Sequence, residues 1–166
     1  MPMYIPRIPV RVAIACSGVA LVFQLVAVAG TGWLMWEASG HTEEDGLFRA
    51  CFDGTCLSTT NNVDWFVACK AFSILALGTI FGNVVVGVLH FLREDTNRLT
   101  RLAVALGAAA AFCVAVEVGV YADKTKSLIT DSAYSYGYCF YLSIFAGVLS
   151  VVSAIFQVVE RVTSHY

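Results

Sequence analysis

Cys51 and Cys56 bracket the segment Phe52-Asp53-Gly54-Thr55, and their spacing sets up a definite reaction. Asp-Gly signals a two-residue turn, because a type I′ turn needs positive φ and glycine supplies it without strain. With Phe52 opposite Thr55, Cys51 faces Cys56 as the next cross-strand pair. Cα atoms in such a non-hydrogen-bonded pair lie about 4.5 Å apart, inside the roughly 4.4–6.8 Å that a disulfide spans. The chemistry is oxidation of two thiols to a cystine, which persists on the oxidising side of a membrane. So short a loop gains about 2 kcal/mol from chain entropy. Of the other cysteines, Cys16 and Cys113 fall within apolar runs and read as small packing residues. Cys69 and Cys139 lie near one membrane face, where a second bridge is open but helix-end packing is the simpler reading.

Other reactive side chains do not assemble into a site. His41, His90 and His165 sit in different regions, no glycine-rich phosphate loop is present, and no Cys/His set has metal spacing. The chain reads as no enzyme, with no cofactor, no metal and no basic patch for nucleic acid. The acidic stretch His41-Thr42-Glu43-Glu44-Asp45 reads as a solvated loop, since neighbours in an exposed loop rarely converge on an ion. That acidity favours cations along the surface. No N-x-S/T sequon occurs: Asn61-Asn62-Val63-Asp64 lacks the hydroxyl. Ser164-His165-Tyr166 loosely suits a PDZ groove, but the tail has little reach from the bilayer.

The elements that must position these residues are membrane spans. Hydrophobic residues make up 58% of the 166, charged residues only 13%, and mean hydropathy is +0.75. A soluble domain carries about 25% charge. The apolar residues come in four blocks, 12–36, 71–92, 102–121 and 137–159, each long enough to cross about 30 Å of hydrocarbon as a helix. One tetraspan domain, 1–166, is expected, with loops at 37–70 and 122–136. On the side of the termini lie Arg7, Arg11, Arg93, Arg98, Arg101 and Arg161, against Glu94, Asp95 and Glu160. On the other side Arg49, Lys70, Lys124 and Lys126 face twice as many acids. Lys/Arg excess marks the cytoplasm, so both termini are expected there and the cystine hairpin outside. A cleaved signal peptide ending near Ala27-Val28-Ala29-Gly30 is the rival reading of the first block. The apolar run continues to Trp36, which is too long for it.

Inside the spans, Glu117 stands out. An acid at mid-membrane costs about 2.5–3.5 kcal/mol on the insertion scale and needs a partner: Lys70 at the end of the second span, Gln24 or Asn83, unless it is protonated. Small residues recur at Ala103, Gly107, Ala111, Ala115 and Gly119, and at Gly78 and Gly82. They mark close helix packing, within the bundle before any dimer. Trp33, Trp36, Phe48, Trp65 and Phe66 are expected at or just outside the outer interface, as in an aromatic belt, although a belt alone does not explain Phe48 beside the hairpin.

The order Trp33, then Gly46-Leu47-Phe48, then Cys51 and Cys56 resembles the W–GLW–C–C signature of the claudin superfamily. That superfamily also holds peripheral myelin protein 22, the epithelial membrane proteins and lens fibre membrane intrinsic protein. Phe48 stands where the family usually has Trp, which keeps the ring and removes the indole N–H. "ACKAFSILALG" (68–78) and "YSYGYCFYLSIFAGVLS" (134–150) are similar to the family's second and fourth helix starts. The resemblance implies an all-α membrane protein, a left-handed four-helix bundle carrying a small extracellular antiparallel β-sheet, with the signature residues near an interaction surface.

The reading that follows is a multi-pass plasma-membrane protein acting in cell–cell adhesion, junctions or membrane organisation through its first extracellular loop. Its partners would be the lipid bilayer and other membrane proteins: a second copy, a protein on an adjacent cell, or a channel or receptor. The alternative is an auxiliary subunit that modulates a channel or receptor through its transmembrane helices. A small transporter is the weakest reading, because no helix is broken at mid-membrane.

Overall fold

A computed structural model describes residues 8–60, 63–92, 97–131 and 133–163. Arg7, Arg93, Glu94, Asp95, Asn61, Asn62 and the 164–166 tail, which enter the charge, sequon and tail readings, lie outside them. Among the described residues are four helices, α1 (Ile8–Ala29), α2 (Asp64–Leu92), α3 (Asn97–Asp131) and α4 (Tyr138–Thr163), each long and apolar enough to cross a membrane. Each packs on the next, and α4 closes on α1.

The buried positions explain the packing. In α1 they are Val10, Ala13, Ser17, Ala20, Gln24 and Ala27. In α4 the same alternation of three- and four-residue steps runs through Cys139, Ser143, Ala146, Ser150, Ser153, Gln157 and Glu160. A seam repeating every 3.5 residues drifts around a 3.6-residue helix, so the helices wrap left-handed to keep it inward. Most of the seam is small: Ala20, Ala110 and Ala146 meet Ile80 in one apolar layer. Small side chains let the backbones approach where lipid offers no hydrophobic drive.

The helix ends depart from the apolar blocks. α1 stops at Ala29, where Gly30 N–H closes on Val26 O at 2.8 Å. Gly30 and Gly32 disfavour further helix, and the rest of the block becomes a strand. α2 begins at Asp64, ahead of block 71–92, with that acid in the first turn, where the helix dipole favours it. α3 runs to Asp131, so most of the loop expected at 122–136 is helix. Its polar last turns are stitched by Lys126 Nζ to Asp123 at 2.7 Å and by Thr130 Oγ1 to Lys126 O at 2.8 Å. Hydropathy marks where lipid ends, not where hydrogen bonding ends.

A five-stranded antiparallel sheet caps one end of the bundle: β1 (Leu34–Ala38), β2 (His41–Asp45), β3 (Arg49–Phe52), β4 (Thr55–Ser58) and β5 (Tyr134–Tyr136), in the order β4-β3-β2-β1-β5. Two turns of one kind build it. Asp53 and Gly54 have φ of 45° and 82°, and Ser39 and Gly40 have 54° and 83°, the positive pair of a type I′ turn. The first delivers the expected register, Phe52 opposite Thr55 and Cys51 opposite Cys56. The second makes 41–45 a strand rather than a loop. Strand alternation sends His41, Glu43 and Asp45 to one face and Thr42 and Glu44 to the other.

Candidate functional site

The sheet is held to the bundle by the signature residues. Trp33 follows the end of α1, and its indole N–H donates to Ala27 O at 2.7 Å, satisfying one carbonyl that the helix end leaves unpaired. Its ring packs on Tyr121 at 5.0 Å and Phe140 at 6.1 Å. Leu47 enters the same cluster with Phe66, Cys69 and Cys139. Trp33 and Leu47 are both fully buried, so they stand beneath the sheet and not on its surface. Of the aromatics expected at the interface, Trp33 and Phe66 are core, Phe48 and Trp65 pack against it, and Trp36 pairs with Tyr134 on the sheet.

Gly46 is required by crowding. A Cβ there would run into the backbone of Gly30, Thr31 and Arg49, which has no freedom to move aside. Gly46 N–H donates to Arg49 O at 2.8 Å, closing the β2–β3 connection against the end of α1. Phe48 is half-buried beneath Lys70. The Lys70 ammonium sits 5.7 Å from the Phe48 ring and 4.8 Å from that of Phe66 and donates to Thr59 O at 3.3 Å. Lys70 of α2 thus holds the chain leaving β4 by a hydrogen bond and Phe48 of the β2–β3 connection by cation–π attraction. It does not pair with Glu117.

The far hairpin carries the disulfide. Cys51 and Cys56 are bonded, with Cα atoms 4.0 Å apart. Replacing both by serine is expected to lower stability by about 2 kcal/mol, seen as an earlier denaturation midpoint in detergent with helix content unchanged. An unaltered midpoint would mean the bond does not brace the sheet. His41 Nδ1 lies 2.5 Å from Asp53 Oδ2, and Thr42 N–H donates to Asp53 Oδ1 at 3.2 Å. These contacts, His41 first, hold the Asp53 carboxyl below its usual range. Burial, reinforced by Glu43, pushes Asp45 up. Tyr134 is raised by burial and by the same two acids. The remaining cysteines Cys16, Cys69, Cys113 and Cys139 are free; Cys69 donates to Glu117 O at 3.7 Å and Cys139 to Val26 O at 3.8 Å, so packing, not a second bridge, is their state.

Within the bundle two polar layers flank the apolar one. Nearer the sheet, Gln24 Nε2 donates to Glu117 Oε2 at 3.1 Å, and Ser143 Oγ lies 3.3 Å from Gln24 Oε1 and 3.4 Å from Glu117 Oε2. Ser73 stands beside the carboxyl. Of the three candidate partners, Gln24 is the one that meets Glu117. Asn83 belongs to the second layer. Its Nδ2 donates to Ser17 at 3.0 Å, Gln157 Nε2 donates to Asn83 Oδ1 at 3.1 Å, and Ser17 and Ser153 share a hydrogen bond of 2.7 Å. Ser17, Ser73, Ser143, Ser153 and Gln157 were not singled out in the sequence, although Ser143, Ser150 and Gln157 recur every seven residues on one face of α4.

The comparisons agree with this geometry. Residues 10–157 match the PMP-22/EMP/MP20/Claudin family. Lens fiber membrane intrinsic protein of Rattus norvegicus is 31% identical over 52% of this chain and 50% of its own length. That of Homo sapiens is 28% identical over the same shares, and that of Bos taurus 27% over 69% and 68%. The chain thus spans about half the length of the rat and human relatives. With the signature tryptophan, the Gly-Leu pair and the cystine each in a defined structural role, the chain belongs to the PMP-22/EMP/MP20/Claudin family, a family of structural membrane proteins.

Proposed function

We propose that this protein lies in the plasma membrane with both termini in the cytoplasm and the sheet outside the cell, and that it acts in cell–cell contact or junction organisation through that sheet. The reading rests on the β3–β4 hairpin. Strand β4 is exposed along its whole length, and Phe52 and Leu57 are 52% and 72% exposed, on a frame fixed by the disulfide, Gly46 and Trp33. Exposed apolar side chains grouped on a rigid, unpaired sheet edge suit contact with another protein. Trp33, Gly46 and Leu47 serve from beneath by holding the surface in place, and Phe48 with Lys70 fixes its edge.

The expected result is that cells expressing the protein aggregate. Replacing Phe52 and Leu57 together by serine abolishes aggregation while surface delivery is unchanged. Cells that stay dispersed, or aggregation that survives the double substitution, would overturn the adhesive reading.

One observation favours the second reading, an auxiliary subunit for a channel or receptor. Between α3 and α4 runs an apolar groove lined by Ala111, Ala115 and Gly119 against Val148 and Val151. A Cβ at Gly119 meets nothing within 4 Å, so this part of the small-residue row faces lipid, whereas Ala103 and Gly107 face inward. On that reading Gly119→Phe removes a co-purifying membrane partner and leaves aggregation untouched.

A further inference from the structure

At the end of the bundle away from the sheet, all four helices line a partly open pocket of about 20 Å³. Its polar lining is His90 from α2, Thr100 from α3, and Gln157 and Glu160 from α4; Ala13 of α1 and Ala103 of α3 supply apolar wall. The four polar side chains are only 7–8% exposed. Gln157 Nε2 is committed to Asn83 at 3.1 Å and Ser153 at 3.3 Å. Its Oε1 is buried and has no hydrogen-bond donor among the described residues, although buried carbonyl oxygens are almost always paired.

We infer that this cavity is a binding site for a single water molecule, which donates to Gln157 Oε1. The volume fits: one water needs about 10–15 Å³ of such space, with two to four polar partners. The chemistry fits as well. A water brings two hydrogens, one for Gln157 Oε1 and one for either the Glu160 carboxylate or the Thr100 hydroxyl oxygen, both of which line the same pocket. A divalent cation needs six or more oxygen ligands or a retained hydration shell, more than this space admits.

The water has a structural consequence. The Ser17–Asn83–Ser153–Gln157 layer joins α1, α2 and α4, while α3 offers it Gly107. In this half of the bundle Thr100 of α3 lies 3.5 Å from His90 Nε2 of α2. A water between Gln157 and Thr100 extends the network to α3 and ties all four helices together at this end.

The test uses the full-length protein in phosphatidylcholine nanodiscs with labelled alanine methyl groups, reading magnetisation transfer from water by NMR. Cross-peaks from water to the Ala13 and Ala103 methyls are expected, and none to Ala20, which lies in the apolar layer. Ala103→Val narrows the cavity, and Gln157→Leu removes the acceptor; either is expected to erase the Ala13 peak. Wild-type protein without peaks at Ala13 and Ala103 would show the cavity to be dry, and that measurement decides even if neither variant folds. A peak surviving both variants would overturn the assignment. So would methyl shifts that follow sodium when it replaces choline at constant ionic strength, because the occupant would then be a cation.

Discussion

Trp33→Ala is expected to cost about 3–5 kcal/mol, the range for truncating a buried tryptophan, and to leave little protein at the cell surface. The size follows from what the ring does. It is fully buried, fills the space between Tyr121 on α3 and Phe140 on α4, and closes the Ala27 carbonyl at the end of α1. Its backbone N–H donates to Asp45 O at 3.1 Å, and its carbonyl accepts from Gly137 N–H at 3.1 Å. One residue therefore joins two helices, strand β2 and the start of α4. Trp33→Phe separates the contributions: the ring remains, the indole N–H is lost, and the expected cost falls to about 1–3 kcal/mol for a buried carbonyl left unpaired. Thermal melting in detergent and surface biotinylation read both variants. An alanine variant that melts and traffics like the parent would remove Trp33 as the anchor of the sheet.

Much of this frame is legible in the chain. The four spans are read from block length, and the cystine register from Asp53-Gly54, because both are local signals. What escapes is non-local or masked. Ser39-Gly40 makes the same kind of turn, but the strand before it, Leu34–Ala38, continues an apolar helix block and hides its change of period. Strand β5 pairs with β1 across about a hundred residues of chain, so nothing near Tyr134 announces it. The burial of Trp33 and Leu47 depends on how four helix ends meet, which composition does not encode. The polar layers are an intermediate case. Each serine of α4 is unremarkable alone, yet their seven-residue repeat matches the coiled-coil seam.

The same division orders the proposed sites of action. Residues fixed by the helix seam and by the cluster around Trp33 and Leu47 tolerate change poorly and hold position. The hairpin tip and the lipid-facing part of the α3–α4 groove carry side chains that the fold itself does not consume. Phe52 and Leu57 on the β3–β4 hairpin, and Ala115 and Gly119 in the groove, are exposed, with Phe52 stacked only on the exposed His41 ring, so their substitution tests partners more than folding. This is why the adhesive and auxiliary readings separate cleanly by mutation.

Glu117 supplies the sharpest test of the bundle interior. It is fully buried, and its described partners are the Gln24 amide and the Ser143 hydroxyl, with Lys70 turned away to Thr59. Glu117→Gln keeps the shape and an acceptor oxygen for those donors, so folding and surface delivery are expected to match the parent, with a cost under about 1 kcal/mol. Glu117→Leu takes away the acceptor of the Gln24 amide, at about 1–3 kcal/mol for a buried group left unpaired, while the Ser143 hydroxyl keeps Gln24 Oε1 at 3.3 Å. Glu117→Lys places a cation among donors with no carboxylate at hand. An uncompensated buried charge costs about 3–5 kcal/mol or more, and the protein is expected to be retained and degraded. The order of surface delivery, Gln above Leu above Lys, follows from hydrogen-bond supply for the first step and from the buried charge for the second. Normal delivery of the Lys variant would mean that the side chain reaches water, and that the layer joining Gln24, Glu117 and Ser143 does not hold α1, α3 and α4 together.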